Sequence, residues 1–271
     1  MVYRAFDLKL RVDVALKAVR PELSASERAR ELLRQEVRSA REVVSANVCR
    51  IFDLVVEEGR ELVSMEYIDG TTLAEVLRER RPLELREARE IAAQFLSGLE
   101  AIHEAGLVHR DFKPENVMLT RAGRVVVMDF GLAKSRTESK SGTIAGTPAY
   151  MSPEQSRGES VDARADVFSA AVVLAEMLTA GPRDGIWEAV RETPPRVPEG
   201  PWSPILRQAY RPTETRATLR RELSPALSTR SRIVYRDSRT GIRTRASRRS
   251  PRRMRSTSSA GKWRWRGSGR S

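Results

Sequence analysis

The sequence predicts an α+β fold of two lobes, a small sheet-rich N-terminal lobe followed by a helical C-terminal lobe. Two observations carry this. Up to about Tyr67 the apolar residues come in short, β-branched runs bounded by turn residues, and from Leu73 onward they recur every three to four residues. The chain has 271 residues, 40% of them hydrophobic, which is enough for one large domain or for two lobes around a shared cleft.

In chain order, Val12 to Val19 is short, β-branched and partly alternating, as a strand requires, and Pro21 ends it. Ser24 with Glu27 reads as a capping box opening a helix that runs to about Val44. Ile51 to Val56 and Glu61 to Tyr67 read as two strands joined by a turn at Glu58 and Gly59. Leu73, Val76 and Leu77 make one face of a short helix, while Ile91, Phe95, Leu99 and Ile102 mark a longer one that Gly106 stops. Short apolar segments follow at Leu107-Val108, Val117 to Leu119 and Val125 to Met128. Asp166 to Thr179 is a last helix, apolar enough to be mostly buried.

Charge is distributed unevenly. The formal net charge is +13, yet residues 209–271 hold 19 basic and 3 acidic residues, leaving 30 basic and 33 acidic in residues 1–208. The main body is therefore near neutral, and a nucleic-acid partner is expected only if the tail supplies it. The single cysteine, Cys49, excludes an internal disulfide, fits a reducing compartment and is expected to be a small buried hydrophobe. Val167 to Leu178, the longest apolar run, is broken by Ser169 and Glu176 and is too short to cross a bilayer. With no secretory leader pattern, the expected location is cytoplasmic, with no membrane contact within this chain.

The strongest chemical signal is His109-Arg110-Asp111-Phe112-Lys113-Pro114-Glu115-Asn116, followed by Asp129-Phe130-Gly131. Phosphoryl transfer needs a carboxylate to orient the attacking hydroxyl and two further oxygen ligands for the metal ions that bridge the phosphates. Asp111, Asn116 and Asp129 supply such a set. The first motif lies between short apolar strand candidates and the second directly follows Val125 to Met128, so spacing and context agree.

These motifs resemble the eukaryotic-type serine/threonine protein kinase family in its bacterial form, over about residues 2–208. The resemblance implies the two-lobed protein-kinase fold, with an N-lobe of about residues 1–66, a hinge of about 66–70 and a C-lobe of about 71–208. It implies ATP and Mg2+ as cofactors, with protein substrates offering Ser or Thr and autophosphorylation among the reactions. Val14-Ala15-Leu16-Lys17 resembles the family's third-strand motif, with Lys17 holding the α- and β-phosphates. Glu36, with Glu42 as fallback and Glu31 more than a turn too early, takes the place of the glutamate that pairs with that lysine. Met65-Glu66-Tyr67-Ile68-Asp69-Gly70 resembles the hinge: backbone groups of Glu66 and Ile68 would bind the adenine edge, Met65 would be the gatekeeper, and Ala15 and Met118 would sandwich the ring. Asp111 would be the catalytic carboxylate, Lys113 would stabilise the transferring phosphate, and Asn116 and Asp129 would bind metal. Lys113 is also what serine/threonine members carry, and Thr147 in Gly146-Thr147-Pro148-Ala149-Tyr150 resembles the threonine that meets it. Arg110 implies control by a phosphate on the segment from Asp129 to Glu154, with Thr143 the first candidate and Thr137, Ser139 and Ser141 behind it. Ser152-Pro153-Glu154 is a variant of the family's Ala-Pro-Glu, whose glutamate pairs with an arginine near the domain end. Asp166 resembles the aspartate that holds the catalytic-loop backbone, and His103 reads as structural.

Two departures stand out. The family's glycine-rich loop and first strand should precede Val2-Tyr3, where this chain has only Met1. After Gln208 the sequence turns rich in Arg, Ser and Thr and ends in Lys262-Trp263-Arg264-Trp265-Arg266. One reading is a nucleic-acid-binding tail of basic residues with interleaved aromatics. The preferred one is a one-base frameshift near codon 209. Codons for Ala209 to Thr218 can be chosen that read LSPDRDARY two bases later, a string resembling the family's last segment. With codons chosen in the same way, that offset allows an acidic, aromatic sequence over Ser247 through Trp265. On this reading residues 209–271 are out of frame and disordered, and an inactive kinase-like remnant is the alternative to an active enzyme.

Overall fold

A computed structural model describes residues 1–19, 21, 26–57, 60–130, 148–180, 203–210, 254–256 and 263–265. The N-lobe sheet is built from β1 (Val2–Asp7), β2 (Val12–Ala18), β3 (Ile51–Glu57) and β4 (Arg60–Glu66), hydrogen-bonded in the order β3-β4-β2-β1 and antiparallel throughout. Strand alternation splits its side chains between two faces. Ala5, Val14, Leu16 and Leu62 form a small cluster of their own. Ala15, Val63 and Met65 belong to the main core, together with Leu33, Val37 and Ala40 of α1 (Glu27–Glu42). The α1 cap is Ser26, whose Oγ accepts from Ala29 N at 3.1 Å, in place of the Ser24 expected from the sequence, which lies outside the described residues.

β1 was not read as a strand from the sequence. Its alternation is weak because Ala5 is the one inward residue buried almost completely, while Val2 at one end is exposed. The turn expected at Glu58 and Gly59 lies outside the described residues.

A second sheet, β5 (Gly70–Thr72), β6 (Val117–Thr120) and β7 (Val125–Val127), starts the C-lobe. Gly70 is required there, because a Cβ would meet Leu119 O at 2.4 Å. Around it lie α2 (Leu73–Glu79), α3 (Leu85–Glu104), α4 (Pro153–Ser156), α5 (Ala163–Leu178) and α6 (Ser203–Ala209). α2 opens with a complete capping box between Thr72 and Glu75. α3 ends at Gly106, whose φ of 74° is the left-handed geometry that glycine adopts at no steric cost. Asp162 caps α5 by accepting from Arg164 N at 2.8 Å, so that helix begins earlier than the Asp166 expected. α5 is buried on every side, as its near-continuous apolar sequence requires, and is the axis of the lobe. Phe168 of α5 and Phe95, Phe112 and Phe130 elsewhere are among the largest fully buried side chains, each contributing on the order of 1.5–3 kcal/mol by burial.

Ordered packing continues past the expected boundary at Gln208. α6 buries Leu206 and Ala209, and Tyr210 places its ring 5.5 Å from Phe168 and donates its hydroxyl to Ala171 O at 3.1 Å. The tail is not uniformly irregular either. β8 (Met254–Ser256) pairs in parallel with β1 and antiparallel with β9 (Trp263–Trp265), extending the sheet to six strands. An unpaired edge on β1 and a Trp-rich segment of high strand propensity account for that pairing.

Candidate active site

The site lies where the two sheets meet, and each functional side chain is held by a short, strongly bonded element. Asp166, at the start of α5 and almost fully buried, accepts two backbone hydrogen bonds that fix the loop before β6 and a third contact from α3. His109 N donates to Oδ2 at 2.7 Å, Arg110 N donates to Oδ1 at 2.8 Å, and His103 Nε2 lies 2.7 Å from Oδ2. Arg110 has a φ of 64°, a conformation costing a non-glycine residue about 1–3 kcal/mol, and this anchorage holds it there. Gln155 adds a bond from Nε2 to Arg110 O at 2.8 Å. Nothing local in the sequence singles out Gln155, because its role depends on a loop brought from 45 positions away.

His109 is buried, and burial lowers its pKa below the ordinary value, so the ring is neutral. The geometry then assigns the tautomer: Nε2 carries the proton and donates to Met128 O at 2.8 Å, and Nδ1 accepts from Asp111 N at 3.3 Å. A single imidazole thus ties the residue before Asp129 to the backbone of Asp111. The ring also meets Phe112 edge-on at 5.6 Å, and Phe112 packs on Phe95 at 5.2 Å.

Asp111, Lys113 and Asn116 converge. Lys113 Nζ is 3.0 Å from Asp111 Oδ2, and Asn116 Nδ2 donates to Asp111 O at 2.8 Å and more weakly to Oδ2 at 3.4 Å. With its amide nitrogen committed to Asp111, Asn116 presents its carbonyl oxygen as the atom for a cation. Asp129 is the other oxygen donor and has a φ of 60°, a second strained backbone beside the first. A carboxylate and an amide oxygen are hard ligands that suit a divalent cation such as Mg2+ better than a soft metal, so the donor set fits the ion.

Lys17 meets Asp129 directly, Nζ to Oδ2 at 2.9 Å. The Lys17–Glu36 pair expected from the sequence is not formed among the described residues. Glu36 is instead half-buried on α1, and burial pushes its carboxyl up to about 7 against an opposing pull from Arg110. Asp129 holds the Lys17 ammonium instead, and Arg110 is the cation whose charge is felt at Glu36. Neither Glu31 nor Glu42 takes the place of Glu36. Glu31 pairs with Arg34 and Arg38 on the exposed face of α1, and no ion pair joins Glu42 to Lys17.

Ala15 on β2 pairs in register with Met65 on β4, both buried, and Met118 on β6 is opposite Thr72 on β5. Ile68, between β4 and β5, is buried. Glu66 ends β4, its N–H donates to Arg50 O at 2.8 Å, and its carbonyl accepts a weak bond from Cys49 Sγ at 3.6 Å. Cys49 is buried and its thiol is pushed up to about 12, which makes it inert packing at ordinary pH. Gly131, Thr137, Ser139, Ser141, Thr143 and Thr147 lie outside the described residues.

The protein kinase domain family matches residues 1–185. The chain belongs to the protein kinase family. A probable serine/threonine-protein kinase of Streptomyces coelicolor is 39% identical over 190 residues, covering 67% of this chain and 28% of that protein. Serine/threonine-protein kinase PknB of Mycobacterium leprae is 37% identical over 189 residues, covering 67% of this chain and 30% of that protein. A probable serine/threonine-protein kinase of Clostridium acetobutylicum is 35% identical over 182 residues. The chain thus spans less than a third of the length of these relatives. Members of the family use ATP and a divalent metal in general. Among the described residues no helix is long and apolar enough to cross a membrane.

Proposed function

We propose that this chain transfers the γ-phosphate of ATP to serine or threonine hydroxyls of protein substrates. The observation that carries the reading is the convergence of Asp111, Lys113 and Asn116 within hydrogen-bond reach, with Asp129 and Lys17 paired opposite. Asp111 orients the acceptor hydroxyl and takes its proton. Lys113, 3.0 Å from that carboxylate, sits where negative charge develops on the transferring group. Asn116 and Asp129 would hold Mg2+, which when bound neutralises charge on the β- and γ-phosphates. Lys17 would exchange its contact with Asp129 for phosphate oxygens. Backbone groups of Glu66 and Ile68, with Met65, Ala15 and Met118 as apolar walls, would receive the adenine.

The reading extends to regulation. Arg110 is fixed through its backbone by Asp166 and Gln155, and a guanidinium so placed is suited to a phosphate on Thr143. Autophosphorylation at Thr143 would then stabilise the active arrangement, and Thr147 would meet Lys113.

The test is Asp111→Asn, assayed for transfer to a protein acceptor and, separately, for nucleotide affinity. Transfer should fall by about 10²–10⁴-fold, the usual contribution of a positioned acid or base. Affinity for a fluorescent ATP analogue should change by less than about threefold, because the residue faces the acceptor. Equal loss of both would remove Asp111 from this role.

A further inference from the structure

Arg124 belongs to none of the motifs above, yet its side chain joins three parts of the molecule. Nη1 and Nη2 donate to the two carboxylate oxygens of Glu66 at 2.5 and 3.1 Å, and Nε donates to Ala46 O at 2.6 Å. Its own backbone is clamped in the β6–β7 turn, where its N–H donates to Thr120 Oγ1 at 3.1 Å and its carbonyl accepts from Thr120 N at 2.9 Å. Glu66 is the residue at which β4 enters the hinge. Ala46 lies in the connection between α1 and β3, which runs along β7: Val127 N donates to Asn47 O at 2.8 Å and Cys49 N donates to Val127 O at 2.9 Å. All three donor groups of the guanidinium are used, in the bidentate geometry that lysine cannot reproduce. Glu66 is also the first cause of the raised pKa of Arg124.

The hairpin that carries Arg124 carries the cation ligands at its two ends, Asn116 just before β6 and Asp129 just after β7. The strand that carries Glu66 ends where the backbone groups of Glu66 and Ile68 would receive the adenine. We propose that Arg124 is a positioning residue that sets the adenine-binding hinge in register with the phosphate- and metal-binding hairpin, so that one nucleotide satisfies both ends of the cleft. Arg124 touches no reacting atom; it acts through Glu66. The proposal rests on the kinase reading, since it needs a ligand that spans both ends.

The coupling follows from geometry. Adenine alone or phosphate alone can bind whichever way the two halves sit, and only ATP needs the spacing. A tie with one partner on each half restricts that spacing before the ligand arrives, which lowers the cost of binding the whole nucleotide. The pair is partly exposed, with side chains 35% and 27% accessible, so its value lies in fixing geometry more than in net ion-pair energy.

The experiment measures Kd for MgATP and for adenosine, with KM and kcat for transfer, in the full chain carrying Arg124→Ala, Arg124→Lys, Glu66→Gln or both Arg124→Ala and Glu66→Gln. In Arg124→Ala, Kd and KM for MgATP should rise about three- to tenfold. Adenosine affinity and kcat at saturating ATP should stay within about twofold. Arg124→Lys should restore only part of the loss, and the double variant should be no worse than the worse single, because both remove one interaction. Unchanged MgATP affinity, an equal loss for adenosine and ATP, or a fall in kcat that tracks a fall in Tm would each overturn the proposal. A failed kinase reading is distinguishable, because it would show as absent MgATP binding in the unsubstituted chain.

Discussion

At the scale of single residues, the informative group is Glu36. A carboxyl raised from 4.5 to about 7 keeps its proton when the chain is folded and loses it when unfolded across that window. The folded state then binds more protons than the unfolded one, so this group's contribution to stability falls as pH rises from about 4.5 to 7. Glu36→Gln should remove that loss. Its stability relative to the unsubstituted protein should increase between pH 5 and pH 8, read from urea midpoints. Had Glu36 been paired with Lys17, its pKa would be lowered, its pH dependence would lie below 4.5, and the variant's relative stability would stay flat between pH 5 and pH 8, so the slope over that range tells the two arrangements apart. His109 titrates with the opposite consequence: its pKa is lowered, so stability falls as pH drops below about 6.5, where only the unfolded ring takes up a proton.

Among elements, the connection between α1 and β3 ties the two lobes together through several hydrogen bonds. Asn47 donates from Nδ2 to Val125 O at 2.8 Å and to Gln94 Oε1 at 3.1 Å, and Gln94 Nε2 reaches Gly123 O at 3.0 Å. α3 approaches this connection through Gly98, where a Cβ would lie 2.5 Å from Asn47 O and 2.9 Å from a Val127 methyl. Alanine in a helix is normally better than glycine by about 1 kcal/mol. Overpacking against backbone here costs about 1–3 kcal/mol, so the steric term wins. Gly98→Ala should therefore lower Tm, and a Tm equal to or above that of the unsubstituted protein would mean that α3 can move away from Asn47. Elements with strong local signals were legible in the sequence. α2 and α3 announce themselves through periodic apolar residues, α5 through its near-continuous apolar run, and Gly106 through its stop signal. β1, β5 and the Ser26 cap were not, because a three-residue strand or a strand with one buried alanine carries too little pattern. The strands at Met254–Ser256 and Trp263–Trp265 were missed for another reason: they exist through pairing with a distant edge, while local composition argued for disorder.

For the molecule as a whole, the site was more legible than the contacts that hold it. Asp111, Asn116 and Asp129 could be read together because the chemistry demands those types at short spacing. The partner of Lys17 could not, because residues 17 and 129 meet only through the closure of both lobes. Arg124 and Gln155 were invisible for the same reason: each acts on a segment far away in the sequence. The measurement that tests the central claim most directly is transfer of the γ-phosphate from MgATP to dephosphorylated casein, with phosphoamino-acid identification, run beside Asp111→Asn. The account predicts phosphoserine and phosphothreonine formed by the unsubstituted chain and lost in Asp111→Asn, with MgATP affinity retained in both. MgATP binding without any transfer, or transfer that survives Asp111→Asn undiminished, would contradict it.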